Sequence, residues 1–427
     1  MKRQYKDSGI EWIGKIPENW AIERMKGLFT ERNERDCKGK TLLSVSQYYG
    51  IRPKSETDIA DSHIAESYDD YKVVCQGDFV MNIMLAWNGS YAVSDYNGMV
   101  SPAYCVFKFR KDCCEKYFHY LLRTNGYPTA FKTMSRGVID SRLRLYPEQF
   151  YTFPVILPPV EEQQRIADYL DSKCGEIDSL IGLQEQMIEK LKAYKQSVIT
   201  EAVTKGLDPN AKLVPSGIDW IGEIPEGWLI TDIKNMCISI TDGSHFSPER
   251  QSEGMPYITA GDIRGKGIDY NNAMRIRKED YNTLESQGCR PHKGDVLMVK
   301  DGATTGRVGM MTDNEECVLL SSVAMLTPLP NVDSNYLMYL IQSNVIQAQI
   351  QLFMAGSAMP RVTLKKINSL KGLLIPLNNQ KEIATYLDEK CADIDRLISL
   401  KQQKIEALKE YKKSVIYEAV TGKTEIV

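Results

Sequence analysis

The sequence predicts an α+β protein: two mixed, strand-rich globular domains held apart by two long helices that pair as an antiparallel coiled coil, all built on a pseudo-two-fold internal repeat. Three observations lead there. From Ser8 the chain reads SGIEWIGKIPENW and from Ser216 SGIDWIGEIPEGW, 10 identities in 13 positions at an offset of 208. Residues 163–204 align without gaps on 380–421, with 27 identities in 42 positions at an offset of 217, and duplication of that length marks a repeated structural unit. Between these blocks the two units diverge, keeping only signatures such as Gly77-Asp78 beside Gly294-Asp295, or Gly137 with Arg142 beside Gly356 with Arg361. The expected boundaries are a globular domain at 1–158, a helical spacer at 159–206, a second globular domain at 207–375 and a second spacer at 376–427.

Each element has its own reason. The opening segment carries Trp12 and Trp20, and its copy Trp220 and Trp228, read as domain core rather than as platforms for stacked bases. The globular segments are rich in Gly, Tyr and Val, with period-two stretches at 104–109 and 296–299 that suit strands. The first spacer follows Pro159, has Glu161 and Glu162 where a helix N-terminus favours negative charge, and stops before Gly206. The second follows Pro376, has Asn379 and Glu382 at capping-box spacing, and stops before Gly422. Ile177, Leu180, Ile181, Met187, Ile188, Leu191, Tyr194 and Val198 make one apolar stripe; Ile394, Leu397, Ile398, Ile405, Leu408, Tyr411 and Val415 make its copy. Gln184 and Lys401 interrupt the sevenfold seam at the same step. A helix of about 40 residues is ~60 Å long, and a single apolar stripe of that length needs a partner. The other copy is the nearest one, and the chain path through the second globular domain makes the pair antiparallel.

Composition excludes several function classes. Among 427 residues, 53 Lys plus Arg face 56 Asp plus Glu for a net charge of −3, which is not the balance of a basic DNA coat. No apolar run reaches the ~20 residues of a bilayer span, and the start MKRQYKDSG lacks an apolar signal core, so a soluble, cytoplasmic protein with no membrane partner is expected. The ten cysteines include no CxxC pair, the four histidines no HExxH, so reduced thiols and no metal are expected. No GxGxxG follows a strand and no GxxxxGK[ST] occurs; GATTGRVG at 302–309 reads as a turn. No cofactor and no catalytic residue are expected, since Asp242 or Asp301 beside His245 gives thin support for an acid–base pair.

Charge distribution says more than net charge. Residues 123–144 carry five basic side chains against one acidic, and 264–307 carry nine against six, whereas 161–204 carry five against nine. The spacer repels phosphates and each globular domain offers a modest basic patch. Two domains with different surfaces at a fixed distance form a caliper for a two-part target, and double-stranded DNA with separated half-sites is such a target. Long donors and amides on loops are the groups that read base edges. In the first domain these are Ser46, Gln47, Tyr48, Arg52, Asn88, Ser90, Arg142 and Arg144; in the second, Ser244, His245, Lys300, Thr304, Thr305, Arg307 and Arg361.

With the duplicated opening segment, WNGSYAVSDYNGMVSPAY from Trp87, TDGSHFSP from Thr241 and the EQQRIADYLD-type helix after a proline step, the chain resembles the specificity subunit of type I restriction-modification systems over essentially its whole length. The resemblance implies two target-recognition domains alternating with conserved helical regions and a subunit with no catalytic centre. It further implies binding to an asymmetric, bipartite double-stranded DNA site and docking of two methyltransferase subunits, with restriction subunits in the full complex. Two alternatives stay open at this point: a coiled-coil scaffold with two protein-interaction domains, and the recognition subunit of a modification-only system.

Overall fold

A computed structural model of the chain describes residues 3–35, 37–56, 68–110, 112–139, 142–354 and 360–426. The chain divides into two compact units, 1–184 with 403–427, and 185–402. Helix α1 (Val160–Lys205) and helix α2 (Leu377–Val420), of 46 and 44 residues, each contribute one half to either unit. Helix α1 starts where the Pro159 carbonyl accepts the Glu162 and Gln163 amides, and it ends at Gly206, whose φ of 77° suits glycine. Helix α2 already runs from Leu377, so Asn379 sits inside its first turn and the expected capping box is not made; the Pro376 carbonyl receives the Gln380 amide at 3.0 Å.

Unit 1 is organised by a four-stranded antiparallel sheet of β1 (Phe29–Glu31), β2 (Phe79–Asn82), β3 (Tyr91–Val93) and β4 (Tyr104–Phe109), in the order β1-β4-β2-β3. Alternation along the strands sends Phe79, Met81, Tyr91 and Phe107 to one face and Val80, Ala92 and Val106 to the other, and both faces are covered. On the first face Phe150 stacks on Phe107 with ring centroids 4.8 Å apart, and Ile166, Ala167 and Leu170 of α1 join Val415, Ala419 and Val420 of α2 in the same core. The second face packs on Leu43, Val45 and Ile51 of a hairpin, Leu43–Ser46 with Gly50–Pro53. Each such side chain contributes roughly 1.5–3 kcal/mol when fully buried, so the sheet needs cover on both sides to be stable.

Unit 2 repeats the plan. Its sheet of β5 (Cys237–Asp242), β6 (Val296–Val299), β7 (Val308–Met310) and β8 (Val323–Pro328) has the order β5-β8-β6-β7. Val296 and Met298 face a core that includes Val198, Ile199 and Val203 of α1 and Ile383, Leu387 and Cys391 of α2. Leu297 and Val299 face a second core with Ile258 and Ile263.

Within each unit the two helix halves touch through matching contacts. In unit 1 Lys412 Nζ lies 2.7 Å from Asp178 Oδ2; in unit 2 Lys195 Nζ lies 2.7 Å from Asp395 Oδ2. The sheet domain is tied to α1 or α2 in the same repeated way. Tyr120 donates to Asp171 Oδ1 and Tyr339 to Asp388 Oδ1, both at 2.7 Å. The buried Gln163 accepts the Cys114 amide and donates to the Pro158 carbonyl, and Gln380 does the same with Asp333 and Ile375. The apolar stripes are narrower than the sequence suggests: Ile177, Ile188, Ile394 and Ile405 are buried, while Leu180, Met187, Tyr194, Leu397 and Tyr411 are exposed. Trp20 is core, but Trp220 of the copied segment is exposed. All ten cysteines are free thiols, and burial pushes the Cys113 thiol up to about 12.

Candidate nucleic-acid interface

In unit 1 the predicted contacts gather around two loops. The tip of the Leu43–Ser46/Gly50–Pro53 hairpin carries Ser46, Gln47 and Tyr48, and Tyr48 is 84% exposed. The tip is held from below: Arg123 donates from Nη2 to the Gln47 carbonyl at 2.6 Å and from Nη1 to the Tyr91 carbonyl at 2.8 Å. Its surroundings are dry enough to lower the arginine pKa by desolvation. Arg52 lies over the Tyr49 ring at 5.5 Å.

The second loop, 83–90, joins β2 to β3. Its Asn88 Oδ1 accepts both the amide and the hydroxyl of Ser90, at 3.1 and 2.7 Å, so these two side chains serve the turn first. The Leu145 amide bonds the Ile83 carbonyl at 3.0 Å, bringing the Arg142–Leu145 stretch alongside. Arg142 is exposed, whereas Arg144 turns Nη1 to the Leu143 carbonyl at 2.8 Å. Lys132 adds a further cation 5.0 Å from the Trp87 ring.

In unit 2 the predicted contacts converge on three segments, 242–246, 300–307 and 360–362. Of the stretch 302–309, residues 302–307 lie in the turn from β6 to β7, whereas Val308 and Gly309 already belong to β7; Gly306 has φ 92° where unit 1 has Gly89 at φ 91°. Thr305 closes this turn by donating to the Gly302 carbonyl at 2.7 Å, Thr304 is half-buried beside it, and the exposed Arg307 reaches the Ile263 carbonyl. The Val362 amide bonds the Lys300 carbonyl at 2.8 Å and the Gly302 amide bonds the Pro360 carbonyl at 2.9 Å, so Arg361 stands directly across from Asp301. Gly356, matched to Gly137 in the sequence, lies outside the described residues.

Three of the predicted contacts are buried and occupied by their own chain: Ser90, Ser244, whose hydroxyl accepts the Phe246 amide at 2.9 Å, and Lys300. The Lys300 ammonium lies 3.0 Å from Asp301 Oδ2 and 3.3 Å from Asp242 Oδ2, a place that a sequence alone assigns to no lysine. His245 remains exposed, 3.8 Å from Asp242. Beside it Phe246 is exposed as well, a flat apolar group that sequence reasoning passed over although TDGSHFSP pointed to it. No pattern in the sequence announces the clamp that Arg123 makes on two backbone carbonyls distant along the chain. Among the described residues no group of three or more His, Cys, Asp or Glu side chains could hold a metal ion, and no helix is long and apolar enough to cross a membrane.

The sequence matches the family model for the type I restriction modification DNA specificity domain twice, over residues 17–193 and 225–410. It is 24% identical over 428 residues to the type I restriction enzyme MjaVIII specificity subunit of Methanocaldococcus jannaschii, covering 96% of this chain and 94% of that one. It is also 24% identical over 338 residues to the EcoBI specificity subunit of Escherichia coli, covering 76% and 69%. The fold is similar to that of a chain solved in work on complex assembly and conformational transition of the type I R-M system, with a TM-score of 0.70, 17% identity and coverage of 95% and 98%. A crystal structure of the HsdS subunit from Thermoanaerobacter tengcongensis gives a TM-score of 0.50 at 17% identity, covering 96% and 98%. With two family domains spanning most of its length, each built on the same sheet order and the same contacts to the long helices, the chain belongs to the type I restriction-modification DNA specificity family.

Proposed function

We propose that this chain is the DNA-reading subunit of a type I restriction-modification complex, in which each unit reads one half of an asymmetric, bipartite double-stranded site. The observation that carries this is the contrast between frame and loops. The bonds Leu145 to Ile83 and Val362 to Lys300 fix the same loop in both units, yet the loops read MLAWNGS and DGATTGR. Identical frames with unlike donors suit two different base sequences, one per unit.

In this reading the domains follow the boundaries 1–158, 159–206, 207–375 and 376–427. Helices α1 and α2 form an antiparallel coiled coil about a pseudo-two-fold axis and set the distance between the reading surfaces. The ion pairs Lys412–Asp178 and Lys195–Asp395 support it, because the late half of α2 meets the early half of α1 in the first pair and the early half of α2 meets the late half of α1 in the second. Base contacts fall to Ser46, Gln47, Tyr48, Arg52, Asn88, Arg142 and Arg144 in unit 1, and to His245, Thr304, Thr305, Arg307 and Arg361 in unit 2. The helical pair docks two methyltransferase subunits and, in the full complex, restriction subunits. The chain contributes no chemistry itself. Its near-neutral charge agrees with sharing the phosphate grip among subunits.

The test is methylation mapping in cells that express the chain with its methyltransferase subunits. The expected map is one asymmetric motif in two parts with an unspecified gap. A continuous or palindromic motif contradicts the reading.

A further inference from the structure

Arg361 occupies a place that both units fill with arginine, and in unit 2 a carboxylate stands across from it. The matching bonds from Val362 to Lys300 and from Leu145 to Ile83 make Arg361 equivalent to Arg144, and Asp301 equivalent to Met84. Arg144 turns back to its own backbone at Leu143. Arg361 sets Nε 3.1 Å from Asp301 Oδ1 while its side chain stays 57% exposed.

Asp301 is itself fixed. Its Oδ2 accepts from Lys300 Nζ at 3.0 Å, and Lys300, 3% exposed, is balanced on its other side by Asp242 at 3.3 Å. Two cations and two carboxylates neutralise one another, and removing either carboxylate would leave the buried Lys300 ammonium under-balanced. The ion pair at Nε restrains Arg361 before any ligand arrives, so less freedom has to be lost on binding. Its two terminal nitrogens then form the fork that matches O6 and N7 of guanine in the major groove.

We propose that Arg361 reads a guanine in the second half-site, held in position by Asp301, which the buried Lys300 fixes in turn. This rests on the bipartite DNA reading given above. Lys300 and Asp301 are positioning residues; neither touches the base.

The test maps methylated sites for the wild-type complex and for complexes carrying Arg361→Ala, Arg361→Lys, Asp301→Asn or Lys300→Met, with thermal melting of each. The wild-type second half-site is expected to contain a required guanine. Arg361→Ala and Asp301→Asn should each weaken the preference at that one position about tenfold or more, leaving the other positions and the first half-site unchanged. Arg361→Lys, a point charge in place of a fork, should recover only part of it. Lys300→Met should relax the same position; if it melts far below the wild type, the Arg361 and Asp301 variants carry the test. A bipartite wild-type map whose guanine preference survives Arg361→Ala overturns this assignment alone. A wild-type map without a second half-site overturns the functional reading and the assignment with it.

Discussion

The amide of Val362 donates to the carbonyl of Lys300 at 2.8 Å, and 217 residues earlier the amide of Leu145 makes the same bond to Ile83 at 3.0 Å. One side chain at this position is a buried ammonium and the other an isoleucine. The backbone link is repeated because it holds a loop against its neighbour, a task independent of what the loop displays. The side chains differ because each must suit a different set of neighbours: Asp242 and Asp301 surround Lys300, while the equivalents of that pair near Ile83 include Met84. This separation of frame from display gives the protein distinct places to test.

His119 should make unit 1 acid-sensitive. Desolvation, with Arg123 and Lys116 adding to it, pushes its pKa from 6.5 down to about 4, against the opposing pull of Asp171. Between those two values the unfolded chain binds a proton that the folded chain refuses. Stability from the neutral imidazole is therefore lost as pH falls through that window, at no more than about 1.4 kcal/mol per pH unit. Melting curves across that window should fall more steeply for the wild type than for His119→Gln. Parallel curves would show that the imidazole takes up its proton without cost.

The helix ends should tolerate substitution unequally. A Cβ on Gly422 would stand 2.6 Å from Pro17 Cδ and 3.0 Å from the Trp20 ring, at a φ of 69° that already disfavours a side chain. A Cβ on Gly206 would meet Trp228 at 3.3 Å, with φ 77°. Gly206→Ala is expected to cost about 1 kcal/mol and Gly422→Ala about 2–3 kcal/mol, measured by chemical denaturation. Equal losses would mean that Pro17 and Trp20 yield more easily than their packing suggests.

Spacing between half-sites should follow the length of both helices together. Seven residues added to α1 after Gln184 and seven to α2 after Gln402 preserve the heptad face and lengthen the pair by ~10 Å, or about three base-pair steps. The mapped gap should grow by that amount with both half-sites unchanged. The same insertion in one helix alone cannot keep Lys412 at Asp178 and Lys195 at Asp395 together, and should lower the melting temperature. An unchanged gap in a stable double insertion assigns the ruler to the partner subunits.

Much of the frame was legible because it is written in periodic and duplicated residues. Pro159, Gly206, Pro376 and Gly422 bracket the helices correctly, and the runs 104–109 and 296–299 contain strands. The apolar stripe of the sequence is wider than the contact: Ile177 and Ile188 are buried but Leu180 and Met187 stay in water, and periodicity does not distinguish seam from shoulder. Loop residues were harder. Spacing paired Arg142 with Arg361, whereas the hydrogen-bond register pairs Arg144 with it, because loops accept insertions that ladders do not. The sequence offers Lys300 as a loop donor, yet the structure buries it, as it buries Gln163 and Gln380. Burial of a polar group depends on partners far along the chain, here Asp242, Cys114 and Asp333, and no local pattern encodes them.

The central claim is that the two units read DNA independently. Exchanging residues 25–150 for the corresponding segment of another family member leaves the long helices and unit 2 intact, and methylation mapping of the chimaera with its methyltransferase subunits tests the claim directly. The expected map has a new first half-site, the original second half-site and the original gap. A map in which the second half-site also changes would contradict it.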